Sequence, residues 1–227
     1  MRLFSNQPAT PSTRIVRVAL DGAPYAYRAG QAASVGLSPA ERLTPYSIAS
    51  APHDTAEHGY LEFLVKVDGS SRFGALVTDL EPGTPMFVSP ASGQFELPST
   101  PPPGVLLFIA GGTGIAPMRS MIREVIYMDP DRRPALLYSA RTPDEFAYLD
   151  ELRELADEGR IDLRLTLTGD SKEWQHARGR AGSIHLEGLA TPETLYFICG
   201  PPAMVTDVPQ ILASMGVSRE RIRTENW

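Results

Sequence analysis

"FIAGGTGIAPM", residues 108–118, decides the fold of the carboxy-terminal half. An apolar run, "VLLFIA", ends at Ala110; three glycines follow within four residues, and a helical pattern, "IAPMRSMIREVIYM", begins at once. Glycine permits positive φ and lets another group approach the backbone closely. A helix amino terminus offers free N–H groups and a partial positive charge, the setting in which a pyrophosphate is held. Pro117 suits the first turn, where its missing N–H costs nothing. Without a ligand, the same residues read as a tight strand-to-helix turn.

The pattern repeats outward from that stretch. Strand "PALLYSA" leads into helix "PDEFAYLDELRELAD", and "IDLRLTLTG" into an irregular stretch with a short helix near "GSIHLEGL". Strand "TLYFICG" precedes helix "AMVTDVPQILASMG", and "RIRTENW" supplies a last strand. Five apolar runs separated by helices predict a five-stranded parallel sheet covered on both faces. Ligands of such folds bind at the carboxyl ends of the strands.

Residues 1–100 read differently. "TRIVRVAL" and "GYLEFLVKV" alternate with a period of two, placing Leu61, Phe63, Val65 and Val67 on one face. Turn residues separate such runs in "DGAP" and "EPGTP", and "SSRFGALVTDL" reads as one short helix begun by Ser70 or Ser71. Antiparallel strands with one helix suggest a small β-barrel. "ELPSTPPPG" (96–104), with three successive prolines, is the linker. Two domains are expected, 1–100 and 104–227.

Composition bounds the function. A chain of 227 residues with 42% hydrophobic and 21% charged residues is globular. Net charge −6 argues against general nucleic-acid binding. The apolar run "VLLFIA" is too short to cross a bilayer, and the start "MRLFSNQPATPSTR" has no apolar core of the secretory kind, so the expected location is the cytoplasm with no membrane partner. One cysteine, Cys199, allows no intrachain disulfide and no cysteine-ligated metal cluster, and the four histidines fall in no metal-ligand spacing. No metal site is expected. Read alone, Cys199 is a small core residue, and "TPYSIAS" (44–50) is an ordinary strand.

"PYSIAS", then "GGTGIAP", then "CGPPAM", then the closing "ENW" form a combination that resembles the ferredoxin–NADP reductase superfamily from Tyr27 onward. The resemblance implies a flavin-binding β-barrel domain followed by an NAD(P)-binding α/β domain. It implies that Tyr46, Ser47, Ile48, Ala49, Ser50 and Ser71 bind flavin, with Ser47 near the reacting nitrogen. Gly111, Gly112, Thr113, Gly114, Arg141, Cys199, Gly200, Pro201 and Met204 would bind the nicotinamide nucleotide. Ser47, Cys199, Glu225 and Trp227 would be the catalytic set. In several branches of the family a terminal aromatic lies on the flavin, and Trp227 would have to move aside before transfer. Otherwise Trp227 caps the sheet edge or packs in a subunit contact.

The pattern breaks in two places. The family usually has an arginine at the position of Thr44, and its glycine-and-serine motif reads "SSRFGAL" here. Arg72 is the expected replacement at the flavin phosphate, with Arg42 the second candidate; Arg72 also reads as a solvated helix residue. For the nucleotide, Thr168 and Gly169 stand where phosphate-preferring relatives place serine and arginine. Asp170 would repel a 2′-phosphate, whereas Lys172 and Arg141 would attract one, and the balance favours NADH over NADPH.

The implied activity is an NAD(P)H-dependent flavoprotein reductase holding FAD, or FMN, and passing single electrons to a ferredoxin, a flavodoxin or an oxygenase component. Arg14, Arg17, Arg28 and Arg42 are candidates for docking it. The alternatives are an NAD(P)H:flavin oxidoreductase using free flavin, and an electron-transfer or regulatory subunit of a larger complex.

Overall fold

In the computed structural model, residues 1–40, 43–67, 69 and 71–226 are described. The amino-terminal half forms two three-stranded antiparallel sheets. The first, in order β1–β2–β5, joins β1 (Arg2–Thr10), β2 (Thr13–Ala19) and β5 (Tyr60–Lys66). The second, in order β4–β3–β6, joins β3 (Ala32–Gly36), β4 (Thr44–Ser47) and β6 (Phe87–Val88). Bridges at Ile48–Phe63 and Arg2–Pro85 tie one sheet to the other. Their inward faces share a core of Val16, Val18, Val35, Leu61, Phe63 and Val65, which matches the alternation of "GYLEFLVKV".

Helix α1 (Pro52–His58) has no apolar periodicity and went unread in the sequence. Pro52 opens it, and the Asp54 carboxylate accepts from the Ala51 N–H at 3.1 Å. Strand β1 was likewise unmarked: it carries Pro8 and two register shifts, as edge strands do. The helix read in "SSRFGALVTDL" is α2 (Arg72–Leu76), continued by a 3₁₀ turn at Val77–Asp79. The Ser71 hydroxyl accepts from the Gly74 N–H at 2.9 Å and so caps α2.

The carboxy-terminal half is one parallel sheet of six strands, where the sequence predicts five. Its order is β10–β9–β8–β7–β11–β12, built from β7 (Leu106–Gly111), β8 (Ala135–Ala140), β9 (Asp162–Leu167), β10 (Ala177–Arg178), β11 (Leu195–Gly200) and β12 (Ile222–Asn226). The extra strand, β10, pairs two residues with Thr166 and Leu167. A ladder that short leaves no periodicity to read. Helices α3 (Ile115–Met128), α4 (Leu149–Asp157), α5 (Ser183–Leu186) and α6 (Pro202–Ser214) cover the faces. Helix α4 starts later than "PDEFAYLDELRELAD" suggests, because Tyr148 takes φ +60° and breaks the helical path.

Alternate residues of β7 and β11 point to opposite faces. Phe108, Ala110, Phe197 and Cys199 pack under α3 together with Ala49, Leu64, Phe95 and Leu97 from the other half. Leu107, Ile109, Tyr196 and Ile198 pack under α6 with Val208 and Leu212. One face of the parallel sheet is thus the seam between the halves. The stretch 96–104 carries no helix or strand. No described helix is long and apolar enough to cross a membrane.

Candidate functional site

Two cavities open where the carboxyl ends of β7, β8, β9 and β11 meet the antiparallel half. The larger, about 800 Å³, is walled by Gly111, Gly112, Thr113, Arg141, Pro201 and Met204 among others. The smaller, about 540 Å³, is walled by Tyr46, Ser47, Ser71, Thr113, Cys199 and Glu225 together with Thr44, Lys66, Ala116 and Asn226. Leu64, Lys66 and Thr113 line both. Among the described lining residues of the smaller cavity, Lys66 carries the positive charge. Nothing in the strand pattern of "EFLVKV" marked it.

The sheet register brings distant sequence motifs together. Cys199 pairs with Ala110 on one side and Glu225 on the other. The Ser47 hydroxyl donates to Glu225 Oε2 at 3.3 Å, joining β4 to β12. Burial pushes the Glu225 carboxyl above its ordinary range, and the bond from Ser47 opposes that only in part. Burial, and then the charge of Glu225, pushes the Cys199 thiol far up, so it stays protonated. Tyr46 OH and Ser71 Oγ lie 2.7 Å apart, tying "PYS" to the cap of α2.

The glycines serve packing more than conformation. Gly112, at φ +55°, sits in the left-handed region that glycine enters without steric cost. Gly114, at φ −60°, does not; a Cβ there would collide with the Cys199 carbonyl. A Cβ on Gly111 would come within 2.9 Å of Met204 Cε and Pro201 Cδ. The two strand-to-helix junctions, "GGTG" and "CGPPAM", are therefore interlocked.

Other expected site residues stand back from both cavities. Ile48, Ala49 and Ser50 are buried and line neither. The Ser50 carbonyl accepts from Tyr27 OH at 2.9 Å and Ser120 Oγ at 2.7 Å, and its hydroxyl oxygen accepts from the Glu62 N–H at 3.1 Å. Gly114 and Gly200 sit behind the walls, and Arg72 is exposed at the first residue of α2, outside both linings. Arg42 and Trp227 lie outside the described residues. Asp170, on which the preference for NADH rested, is not part of the larger cavity's lining, whereas Arg141 and Arg180 are. Arg180 follows β10, the strand the sequence did not reveal. Of the docking arginines, Arg17 is paired with Glu62 at 2.6 Å and Arg28 with Glu96 at 2.7 Å, and Arg14 donates to Asn6 Oδ1 at 2.6 Å.

Comparison with known proteins agrees with this architecture. Residues 108–210 match the family described as the oxidoreductase NAD-binding domain. Ferredoxin–NADP reductase B of Sorangium cellulosum is 30% identical over 252 aligned residues, which cover all of this chain and 96% of that protein. The xylene/toluene monooxygenase electron transfer component of Pseudomonas putida is 28% identical over 89% of this chain, but the match spans only 58% of that protein. Several other relatives are matched over about half their length. A ferredoxin NADP+ reductase from Neisseria gonorrhoeae, solved with bound FAD and NADP, has the same fold: TM-score 0.83 over 99% of this chain and 96% of that one, at 24% identity. The chain belongs to the ferredoxin–NADP reductase superfamily and is an oxidoreductase of that family.

Proposed function

We propose that the chain is an NAD(P)H-dependent flavoprotein reductase that takes flavin, as FAD or FMN, in the smaller cavity and nicotinamide nucleotide in the larger. On this reading residues 1–100 act as the flavin-binding barrel domain and 104–227 as the nucleotide-binding domain. The observation that carries it is the wall of Leu64, Lys66 and Thr113 common to both cavities. Groups held in the two cavities would be separated by this shared wall alone.

The residues present fit such groups. Tyr46, Pro45, Leu64 and Ala116 give the smaller cavity apolar surface for a flat ring, while Ser47, Ser71 and Thr113 supply hydroxyls. Lys66, Arg141 and Arg180 supply positive charge for phosphates along the larger one. When bound, the nicotinamide supplies a hydride to the flavin, which releases electrons one at a time.

The chain's own part is placement and proton bookkeeping. Tyr46 is fixed by its bond to Ser71. Cys199 keeps its proton, and burial raises the Glu225 carboxyl beside it. Ser47 holds the Glu225 carboxyl against β4. Trp227 lies outside the described residues, and on the family resemblance alone we assign it the covering of the flavin. Deleting Trp227 then tightens binding of the oxidised nucleotide.

A separate electron acceptor protein, a ferredoxin, flavodoxin or oxygenase component, completes the reading. Its support is the family itself, including relatives that are electron transfer components of oxygenases. The second reading, free flavin as an exchanging substrate, is favoured by Thr44 lining the cavity and by Arg72 standing outside it. An absorbance spectrum of the pure protein, before and after NADH and then NADPH without oxygen, tests both. A visible flavin band bleached by either nucleotide supports the first. A colourless protein that reduces added flavin supports the second, and one that neither binds nor reduces flavin refutes the proposal.

A further inference from the structure

Helix α3 opens at the glycine loop, and one turn later two side chains leave it for the other half. Arg119 Nη1 donates to the Ala49 carbonyl at 2.8 Å, and Ser120 Oγ donates to the Ser50 carbonyl at 2.7 Å. Both carbonyls belong to the segment that directly follows Tyr46 and Ser47. Arg119 is itself gripped: Glu62 Oε1 lies 3.1 Å away, Glu151 Oε2 accepts from its Nε at 2.8 Å, and its guanidinium lies 4.6 Å from the Tyr148 ring centre. Arg17 holds the other oxygen of Glu62 at 2.6 Å. Arg123 extends the cluster to Glu151 at 2.9 Å and Asp54 at 2.6 Å.

Stability is a poor reason for this cluster. Taking Glu62 and Arg119 out of water costs free energy that their mutual attraction barely returns, and apolar side chains of similar size would hold the seam as firmly. What charges add is direction. A guanidinium is a rigid planar fork whose bonds fix angle as well as distance, whereas apolar contacts are non-directional. A reaction between two rings is sensitive to that difference, since a misplacement of about 1 Å can cost on the order of 100-fold in rate.

We infer that Arg119 is a positioning residue: through the Ala49 carbonyl, beside the bond from Ser120 to the Ser50 carbonyl, it locks the strand carrying Tyr46 and Ser47 to the helix that begins at the glycine loop, and so sets the gap across which the two cofactors would meet. The inference rests on the proposed function above. Arg119 touches neither cavity; it acts by holding the two walls in register.

The test uses the whole chain carrying the double substitution R119Q/E62Q, which removes both charges of the buried pair together and leaves their outer partners Arg17 and Glu151 partly open to water. Stopped-flow flavin reduction at saturating nucleotide should slow by about 10- to 100-fold, while flavin content and nucleotide affinity stay near those of wild type. In the cofactor-free chain, hydrogen exchange at residues 44–51 should quicken, with R119K recovering part of the protection. A purely structural role predicts a lower melting temperature with an unchanged reduction rate, and that result overturns the inference. Should the double variant fail to fold, R119K and S120A are read in the same way, and wild-type rates in both overturn it. A wild-type chain that neither takes up nor reduces flavin refutes the functional reading, and this inference with it.

Discussion

Ser47 and Glu225 stand 178 residues apart in the chain, yet the Ser47 hydroxyl meets the Glu225 carboxylate at 3.3 Å. Strand β4 of one half and strand β12 of the other thus share a wall with Cys199. Burial raises the Glu225 carboxyl. Its contribution to stability is therefore fully present below the unfolded value of 4.5 and is lost as pH rises through the folded one. Glu225→Gln should match wild type in melting temperature below 4.5 and exceed it by a margin that grows as pH rises from there and levels off above the folded value. A difference that does not change with pH would show that the carboxyl ionises freely.

Cys199 is 2% exposed and its thiol is held protonated. As the chain's one cysteine, it gives an unambiguous labelling experiment. Iodoacetamide at mildly alkaline pH should leave the native protein unmodified and alkylate it fully in denaturant, as read by intact mass. Rapid native labelling would contradict the burial.

The Asp54 carboxyl is pushed upward by burial, but the hydrogen bonds and charge of Arg123, with the Ala51 N–H, outweigh this and hold it below its ordinary value. Stability from Asp54 is then present above 3.8 and is lost as pH falls through the folded value. Asp54→Asn leaves Arg123 short of its strongest partner and should cost about 3 kcal/mol at neutral pH in urea unfolding. The cost should shrink in acid.

Gly114 lacks room for a methyl group rather than a need for unusual φ. Gly114→Ala forces the loop away from the Cys199 carbonyl and should destabilise by about 2 kcal/mol. Nucleotide binding should weaken as well. Calorimetry of both quantities checks this, and a fully stable variant would show the loop to be slack.

Lys66 sits on the wall common to both cavities. Lys66→Met keeps the length and removes the charge. The dissociation constant for the nicotinamide nucleotide should rise about tenfold, equivalent to about 1.4 kcal/mol. The salt dependence of binding should fall with it. Unchanged affinity at low salt would remove Lys66 from the phosphate path.

Local chemistry was legible where it left a pattern. Alternating apolar residues marked β2 and β5, continuous apolar runs marked β7, β8 and β11, and a glycine cluster marked the first strand-to-helix junction as a glycine with two prolines marked the second. Helix α1, the edge strand β1 and the two-residue β10 escaped because caps, bulges and short ladders leave no period behind. Ile48, Ala49 and Ser50 sat within a recognisable motif, but only packing shows that the Ala49 and Ser50 carbonyls face helix α3.

The sequence by itself determined the elements that leave a local pattern, β2, β5, β7, β8 and β11 with the helices that follow the two strand-to-helix junctions, because period, capping and turn chemistry act over a few residues. Which residues face one another was decided by the tertiary structure alone. Ser47 with Glu225, Arg119 with Ala49, and Lys66 between two cavities are long-range pairings. They follow from sheet register and from the seam between the halves, which are fixed by burial and directed charge across the whole molecule, and no local stretch encodes them.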